Sequence, residues 1–278
     1  MSTLKEKLLH AQTLFVHVQI PAMPKEIIEI NRLFAEQEIP DLAELTRIIS
    51  QNATLVGEVI RIANAPVFMG TRQQEIINIK DAIQVIGVKR LKNLVTSVGY
   101  QMQTGNMGLE EVNEFSFRSA LVAAELAQYV DGVSEDQAYL AALFHNAGAM
   151  LMAAAFRDYD QIFMQSLSQP YSILALESTR YQTAHTIAGL LVARQWHLNS
   201  LLSHVIVLHH QKSLTKIEDD QVRTLVAMIQ LANAIVTQVV FPDHQGEEVT
   251  TMLASAQTEL FVEDSVIQHL IGVLQSEL

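Results

Sequence analysis

His145 and Asn146 stand side by side in an almost wholly apolar stretch, YLAALFHNAGAMLMAAAF (residues 139–156). An imidazole can act as a base, a proton carrier or a metal ligand, whereas an amide only donates and accepts hydrogen bonds. The pair is therefore either a working site or the remainder of one. Further histidines in apolar surroundings are His185, His209 and His210. Each of them alone fits a hydrogen-bonded core residue as well as a ligand.

The elements that would position these side chains are helices. Apolar residues recur at three- and four-residue spacing along nearly the whole chain, as in DLAELTRIIS and ATLVGEVIRIANA. Asn52 is predicted to cap one helix, and Ser134 with Gln137 forms a predicted capping box before residues 139–156. Gly87 is predicted to end a helix and Thr183 to start one. Two-residue alternation is not sustained, so the predicted fold is all-α.

We expect two helical lobes followed by a tail. The loop-like stretches TGNMGLE (104–110) and FPDHQGEE (241–248) divide an N-terminal lobe (1–105), a second lobe (106–240) and a helical tail (241–278) packed on the same domain. Residues 139–156 are predicted to form one buried helix in the second lobe. Trp196 is predicted to anchor its helix against the next one, with ligand stacking as the alternative.

Composition excludes several classes of protein. At 278 residues, 49% apolar and without cysteine, the chain is globular and has no disulfide or thiolate metal site. The net charge of −12 disfavours nucleic-acid binding, which requires many lysines and arginines. The local basic cluster is predicted to be a solvated helix face, although a nucleic-acid patch is the alternative: Lys80, Lys89, Arg90 and Lys92.

The chain is also predicted to have no membrane segment. Its first twenty residues lack the apolar core and cleavage site of a signal peptide. Residues 139–156 are the best transmembrane candidate, but their uninterrupted apolar runs are far shorter than the ~20 residues of a span. His145 and Asn146 would also lie in mid-bilayer. We therefore expect a cytoplasmic protein.

Several catalytic sites lack their minimum residues. The sequence has no P-loop, no Gly-x-Gly-x-x-Gly turn, no Gly-x-Ser-x-Gly elbow and no His-Glu-x-x-His pair. Nucleotide triphosphatases, dinucleotide enzymes, α/β-hydrolases and zincins are accordingly disfavoured.

An ordered series of segments resembles the HDOD family, a regulatory relative of the HD-domain metal-dependent phosphohydrolases. The segments are IPAMP (20–24), LTRIISQNATLVGEVIRIANAPVF with Asn64, IKDAIQVIGVKRLKNLV, AALFHNAGAMLM, and ESTRYQTAHTIAGLLVARQWHLNSLLSHVIVLHH with Glu177, His185, Gly189, Trp196, His209 and His210. The resemblance covers roughly residues 16 to 235. It implies a two-lobed helical fold and bacterial signal transduction.

The departures from that family pattern concern the metal site. In active HD enzymes the ligands are an early His, an adjacent His-Asp pair and a late Asp. By this resemblance His145 keeps its position, the paired Asp is Asn146, the early His falls at or near Arg118, and the late Asp falls at Asn233. Hard divalent cations need anionic oxygen. The resemblance thus implies a relic pocket made of Arg118, His145, Asn146, His185, His209, His210 and Asn233, without catalytic residues.

Two functions remain as hypotheses. The favoured one is a non-catalytic signalling module with no cofactor, acting on signalling proteins or a small nucleotide-like ligand in a concave site between the lobes. Self-association is left open. The alternative is a metal-dependent phosphohydrolase for phosphomonoesters or cyclic dinucleotides. A weaker option is a divalent transition metal held by His145, His185, His209 and His210.

Overall fold

The computed structural model describes residues 3–20, 22–64, 74–104 and 110–276, and these residues contain helices and no strand. The chain divides into a smaller unit, Pro21–Asn106, and a larger unit made of Met1–Ile20 and Met107–Leu278. The predicted all-α fold is confirmed. Most of the predicted loop at 104–110 lies outside the described residues.

The smaller unit consists of α2 (Lys25–Glu36), α3 (Leu42–Ile49), α4 (Ala53–Ala63), α5 (Ile79–Ile86) and α6 (Val88–Thr104). Asn52 caps α4, and Gly87 ends α5 at a φ of 89°, as predicted. Asn64 donates to and accepts from the main chain of Ile76, which ties the end of α4 to the segment before α5.

The larger unit contains α1 (Leu4–Leu14), α7 (Glu110–Leu126), α8 (Glu135–Phe144), α9 (Ala147–Ala155), α10 (Tyr159–Ser168), α11 (Ile173–Tyr181), α12 (His185–Gln195), α13 (Ser200–Leu208), α14 (Asp220–Val240), α15 (Glu247–Leu260) and α16 (Asp264–Ser276). The short 3₁₀ turns are Ala127–Tyr129, Leu214–Lys216 and Pro242–His244. At the centre lies α14, which is buried without interruption from Leu225 to Thr237. Around it pack α7, α8, α13, α15 and α16.

The first helix packs in the larger unit, although the residues that follow it in the sequence form the smaller unit. The predicted N-terminal lobe began at residue 1, but α1 packs on α12 of the larger unit. Leu8 and Ala11 are buried there, and the ring of Phe15 lies edge-on to Phe156 at 6.2 Å. The apolar face of α1 is small and has to be covered by another element, and α12 covers it.

The predicted single helix over residues 139–156 is two helices. A capping box at Ser134 and Gln137 starts α8, as predicted, but α8 ends at Phe144 and α9 begins at Ala147. The ring of His145 bonds to the carbonyl oxygen of Ala142, an acceptor that a continuous helix gives to a main-chain N–H. The chain turns at His145 and Asn146, between the two helices.

The turn is held close to α12 by two glycines. A Cβ added to Gly148 would lie 1.9 Å from the carbonyl oxygen of His185 and 2.3 Å from the main-chain nitrogen of Gly189. The main chains of α9 and α12 are therefore in direct contact where the two helices cross. This crossing brings the turn at His145 close to the start of α12.

Two stretches of the described residues satisfy a membrane span by length and composition, Glu135–Ala155 and Asp220–Val240. In each, 78% of the most apolar window is buried inside the protein. The apolar surface of both is thus covered by other helices of the larger unit, as in core helices.

Candidate functional site: a buried histidine cluster

The candidate site is a cluster of imidazole rings in the larger unit. His145 lies in the turn between α8 and α9, His185 opens α12, and His209 and His210 follow α13. Ring centroids are 4.9 Å apart for His145 and His209, 5.2 Å for His185 and His209, and 4.1 Å for His209 and His210. The fold brings together all four histidines that the sequence singled out.

Both ring nitrogens of His145 have partners. Nδ1 lies 2.5 Å from the carbonyl oxygen of Ala142, which only accepts, so Nδ1 carries the proton. Nε2 therefore has a lone pair, which accepts from the side-chain amide of Asn233 at 3.1 Å. Burial lowers the pKa of His145 to about 3, outweighing the Ala142 carbonyl, which raises it, and His185 lowers it further. The ring is therefore neutral, and both of its nitrogens are hydrogen-bonded.

The two amides predicted at carboxylate positions are both close to His145. Asn146 follows it directly and is 3% exposed. Asn233 comes from the middle of α14, and within the described residues its Oδ1 has no hydrogen-bond partner. Neither side chain supplies negative charge to this side of the cluster.

Arg118, predicted at or near the early histidine position, lies on α7. Its guanidinium pairs with Glu114 on the same helix, at 2.8 Å between Nη2 and Oε1. The α7 residue whose ring lies beside His145 is Phe115, at 6.2 Å between centroids. An apolar ring thus adjoins the histidine on this side, where the resemblance had suggested a cation.

A buried carboxylate holds His185. Glu177 is 0% exposed, and both of its oxygens lie 2.9 Å from Nδ1 of His185. It also accepts from the main-chain N–H of His185 and, at 2.6 Å, from the hydroxyl of Tyr159. Burial by itself would raise the pKa of Glu177, but the charge of His185 and these hydrogen bonds outweigh it, so the pKa is lowered.

The Nε2 atoms of His185, His209 and His210 converge. Nδ1 of His209 donates to the carbonyl of Ile206 at 2.8 Å, so its Nε2 is unprotonated in the neutral ring. That atom lies 3.2 Å from Nε2 of His185, which in turn lies 3.1 Å from Nε2 of His210. Facing lone pairs repel, so a proton or a metal cation has to lie between these nitrogens.

Burial makes the proton costly on two of these rings. It lowers the pKa of His209 and of His210 well below the usual range, and the neighbouring histidines lower both further. The turn carrying them is fixed by Gln230 of α14, whose amide donates to the carbonyls of His209 and Gln211. His185 differs from these two rings because its Nδ1 is hydrogen-bonded to the buried Glu177 carboxylate.

The donor set decides which metal ions fit. Mg²⁺ and Mn²⁺ prefer oxygen ligands, and Asn146 and Asn233 offer at most neutral amide oxygens, so the HD-type site does not fit them. His185, His209 and His210 have ligand atoms within 4.8 Å of one another, and imidazole suits Zn²⁺, Ni²⁺ and Cu²⁺. A carboxylate behind a histidine, as at Glu177, is a common partner of such ligands.

The free space beside the two amides is very small. A cavity of about 20 Å³ is lined by Phe115, Asn146, His210, Asn233 and Thr237, among others. That volume accommodates a single water molecule. Ligand sites for small organic molecules are commonly ~300–1,000 Å³, so a phosphate ester does not fit there in this conformation.

Sequence reasoning missed three of these contacts. Phe115 beside His145, Tyr159 on Glu177 and Gln230 on the His209 turn all come from distant helices. Only Glu177 could be identified from the sequence, because its spacing before His185 resembles the family pattern. The side chains of Phe115, Tyr159 and Gln230 have no distinguishing spacing in the sequence.

Comparisons with known proteins identify the family and the fold. A family model of the HDOD domain matches residues 20–212. An uncharacterized protein of Treponema pallidum (strain Nichols) is 22% identical over 221 residues, which are 77% of this chain. The chain spans 41% of the length of that relative.

Solved structures show the same fold at low identity. A provisionally named signal transduction protein from Marinobacter aquaeolei VT8 has a TM-score of 0.76 at 16% identity, covering 98% of this chain and 63% of its own. A provisionally named phosphohydrolase from Shewanella amazonensis SB2B has a TM-score of 0.68 at 19% identity, covering 96% and 92%. The two names point to different functions for one architecture.

Proposed function

The chain belongs to the HDOD domain family, and from this premise we propose that it is a non-catalytic signal-transduction module with a degenerate HD metal site. In this proposal it acts in the cytoplasm through protein partners or a bound small ligand. One solved neighbour of the same fold is named for signal transduction.

The observation that carries the proposal is the hydrogen bond between Asn233 and His145. Nε2 of His145 is the atom that would bind a metal, and the amide of Asn233 occupies its lone pair at 3.1 Å. An Asp at position 233 would instead present only acceptors to that nitrogen. The asparagine thus stabilises a neutral, metal-free histidine.

Charge and space support the same conclusion. Replacing two carboxylates by Asn146 and Asn233 removes two negative charges from a site that would have to offset a divalent cation. The remaining cavity of about 20 Å³ leaves no room for a phosphate ester beside these residues. In this proposal the HD-related fold is retained without two of the carboxylates that would offset a divalent cation.

A second candidate, the metal-dependent phosphohydrolase, is favoured by one observation. His185, His209 and His210 present converging nitrogens that fit a transition-metal ion, with Glu177 behind His185. Such an ion would supply Lewis-acid activation of water or of a phosphoryl oxygen. A solved neighbour is provisionally named a phosphohydrolase.

The two candidates are separated by hydrolysis assays on the purified chain. Wild type, His145→Ala, His185→Ala and the double variant Asn146→Asp/Asn233→Asp would be assayed with a phosphomonoester and a cyclic dinucleotide, adding Mn²⁺, Ni²⁺ or Co²⁺. We expect no turnover above background from the wild type. Turnover that is abolished by His185→Ala or His145→Ala would establish the enzyme. Turnover gained only in the double variant would support the degenerate site.

A further inference from the structure

Two of the clustered imidazole rings direct lone pairs at each other. Both oxygens of Glu177 lie 2.9 Å from Nδ1 of His185, so Nδ1 carries the proton and Nε2 of the neutral ring has a lone pair. His209 has the same form, because its Nδ1 donates to the carbonyl of Ile206. The two Nε2 atoms are 3.2 Å apart, and Nε2 of His210 lies 3.1 Å from that of His185. A cation bound by these nitrogens would convert their repulsion into attraction.

The spacing of the nitrogens is close to that of ligands on one metal ion. A Zn–N bond is about 2.0–2.1 Å long, so two nitrogens of a tetrahedral site are about 3.3–3.4 Å apart. The separations of 3.2 Å and 3.1 Å lie just below this value. All three ligand atoms lie within 4.8 Å of one another. Small side-chain rotations are therefore enough to admit an ion.

Glu177 orients the His185 ring from behind. The sequence predicts that Thr183 caps α12, and this prediction is wrong, because the N-cap is Ala184 and no side chain caps the helix there. The carboxylate of Glu177 instead accepts the main-chain N–H of His185 together with its ring Nδ1. A carboxylate behind a ligand histidine fixes the tautomer and makes the metal-binding nitrogen more basic.

The same carboxylate supplies negative charge to this side of the cluster. Glu177 is 0% exposed and accepts hydrogen bonds from the hydroxyl of Tyr159 and from two N–H groups of His185, as an ionised carboxylate does. The side of the cluster at His145 has only neutral amides. The charge that offsets a cation is therefore found beside His185.

We propose that His185, His209 and His210 form a Zn²⁺ site that is separate from His145. The ion would join the start of α12 to the turn after α13, which Gln230 ties to α14, so its binding stabilises the larger unit. Zn²⁺ would thus be a regulatory ligand of the chain. This regulatory role rests on the proposed non-catalytic function, whereas the binding of the ion does not.

The space beside the site is suited to binding without hydrolysis. Three histidines leave a fourth position on Zn²⁺. His210 lines the cavity of about 20 Å³, which has room for one water molecule. A phosphate ester does not fit in that volume.

The test is metal retention by the purified, tag-free chain. The protein is stripped with a chelator, equilibrated with Zn²⁺, Co²⁺ or Mn²⁺, desalted and subjected to elemental analysis. The visible absorption of bound Co²⁺ reports four-coordination, and the melting temperature is recorded with and without Zn²⁺. Titrations compare affinities among the variants.

The variants are His209→Gln and His210→Gln. The matched controls are His204→Gln, which changes an exposed histidine of the same helix α13, and His145→Gln, which changes the histidine of the HD pattern. The melting temperature of each metal-free variant shows whether it is folded. Because His210 is only partly buried, its variant is expected to fold even if His209→Gln does not.

We expect about one Zn²⁺ or Co²⁺ per chain in the wild type and in both controls, and no stoichiometric Mn²⁺, which prefers oxygen ligands. Saturating Zn²⁺ should raise the melting temperature of the wild type by roughly 5 °C. His209→Gln and His210→Gln should each weaken Zn²⁺ binding at least tenfold, since loss of a partner behind a ligand already weakens metal binding by about 10–100-fold.

The proposal is overturned if the wild type retains no Zn²⁺ or Co²⁺, or if either control weakens binding as much as His210→Gln. Phosphomonoester hydrolysis is measured on the same samples. Absence of the metal would overturn this inference and leave the non-catalytic function standing. Turnover by the Zn²⁺-loaded protein would overturn the non-catalytic function and leave the metal site standing. Bound Zn²⁺ without turnover would support both.

Discussion

At His145 each ring nitrogen has a different partner, and the two partners together define its chemical state. The carbonyl of Ala142 requires a proton on Nδ1, and the amide of Asn233 requires a lone pair on Nε2. A metal ion at Nε2 would have to displace Asn233 and leave its amide unpaired in the core, which is costly. The neutral ring is thus the stable state of His145.

Acid sensitivity follows from these buried rings. Burial lowers the pKa of His145 to about 3, and lowers those of His209 and His210, whereas an unfolded histidine titrates near 6.5. Since the folded pKa lies below the unfolded one, the stability from each ring is complete above pH ~6.5. It is lost as the pH falls from there towards the folded pKa, by about 1.4 kcal/mol per pH unit and ring.

Urea unfolding at pH 7, 6 and 5 measures this effect for the wild type and for His145→Gln, which cannot titrate. We expect the free energy of unfolding of the variant to fall less steeply below pH 6.5, by about 1.4 kcal/mol per pH unit. Equal slopes for the two proteins would show that His145 is not buried in its neutral form.

Part of the site could be predicted from the sequence at this scale. Asn146 could be assigned to the site because it directly follows His145. Asn233 was assigned by a family pattern, and its side chain does bond to His145. Arg118 was placed the same way, and it lies on the same helix as Phe115, whose ring adjoins His145. On a helix, a shift of three residues still leaves a position on nearly the same face, so a pattern without an alignment cannot separate the two.

At the scale of the elements, the crossing of α9 and α12 positions the site. Gly148 and Gly189 allow the two backbones to touch, and Gly148→Ala would place a methyl group against main-chain atoms that cannot move aside. We expect it to lower the free energy of unfolding by roughly 3 kcal/mol or more, at the upper end of overpacking effects.

The matched control is Gly272→Ala in α16 of the same unit, where an added Cβ has no atom within 4 Å. This change should raise stability by roughly 0.5–1 kcal/mol through the higher helix propensity of alanine. Denaturant unfolding of both variants checks the comparison. A Gly148→Ala protein as stable as the control would contradict the close crossing.

Trp196 is the aromatic anchor at the end of α12. It is 4% exposed, and its ring lies 5.7 Å from that of Phe144 at the end of α8, in an edge-on arrangement. Trp196→Ala should therefore cost about 3–5 kcal/mol of unfolding free energy. A variant of unchanged melting temperature would favour ligand stacking instead.

Helix ends were predictable where a local rule decides them. Asn52, Gly87 and Ser134 cap or end their helices as their side chains or backbone freedom require. Two predictions failed. Thr183 does not cap α12 although its type suits the role, and the helix at 139–156 is interrupted at His145 and Asn146, where the His145 ring bonds to the Ala142 carbonyl.

At the scale of the whole molecule, chain order does not match the division into units. Residues of α1 pack with the larger unit, although the smaller unit follows them directly in sequence. Apolar periodicity predicts that a helix has a buried face but does not name its neighbour. For that reason the helical class could be predicted from the sequence, and the position of α1 could not.

For the whole chain we propose that an HDOD fold serves regulation. The central claim is that Nε2 of His145 bonds to Asn233 in preference to a metal ion. The most direct measurement is a long-range ¹H–¹⁵N spectrum of the histidine rings, recorded with and without stoichiometric Mn²⁺. We predict a neutral, Nδ1-protonated His145 whose signals Mn²⁺ does not broaden. Broadening of the His145 signals at one equivalent of Mn²⁺ would contradict the account.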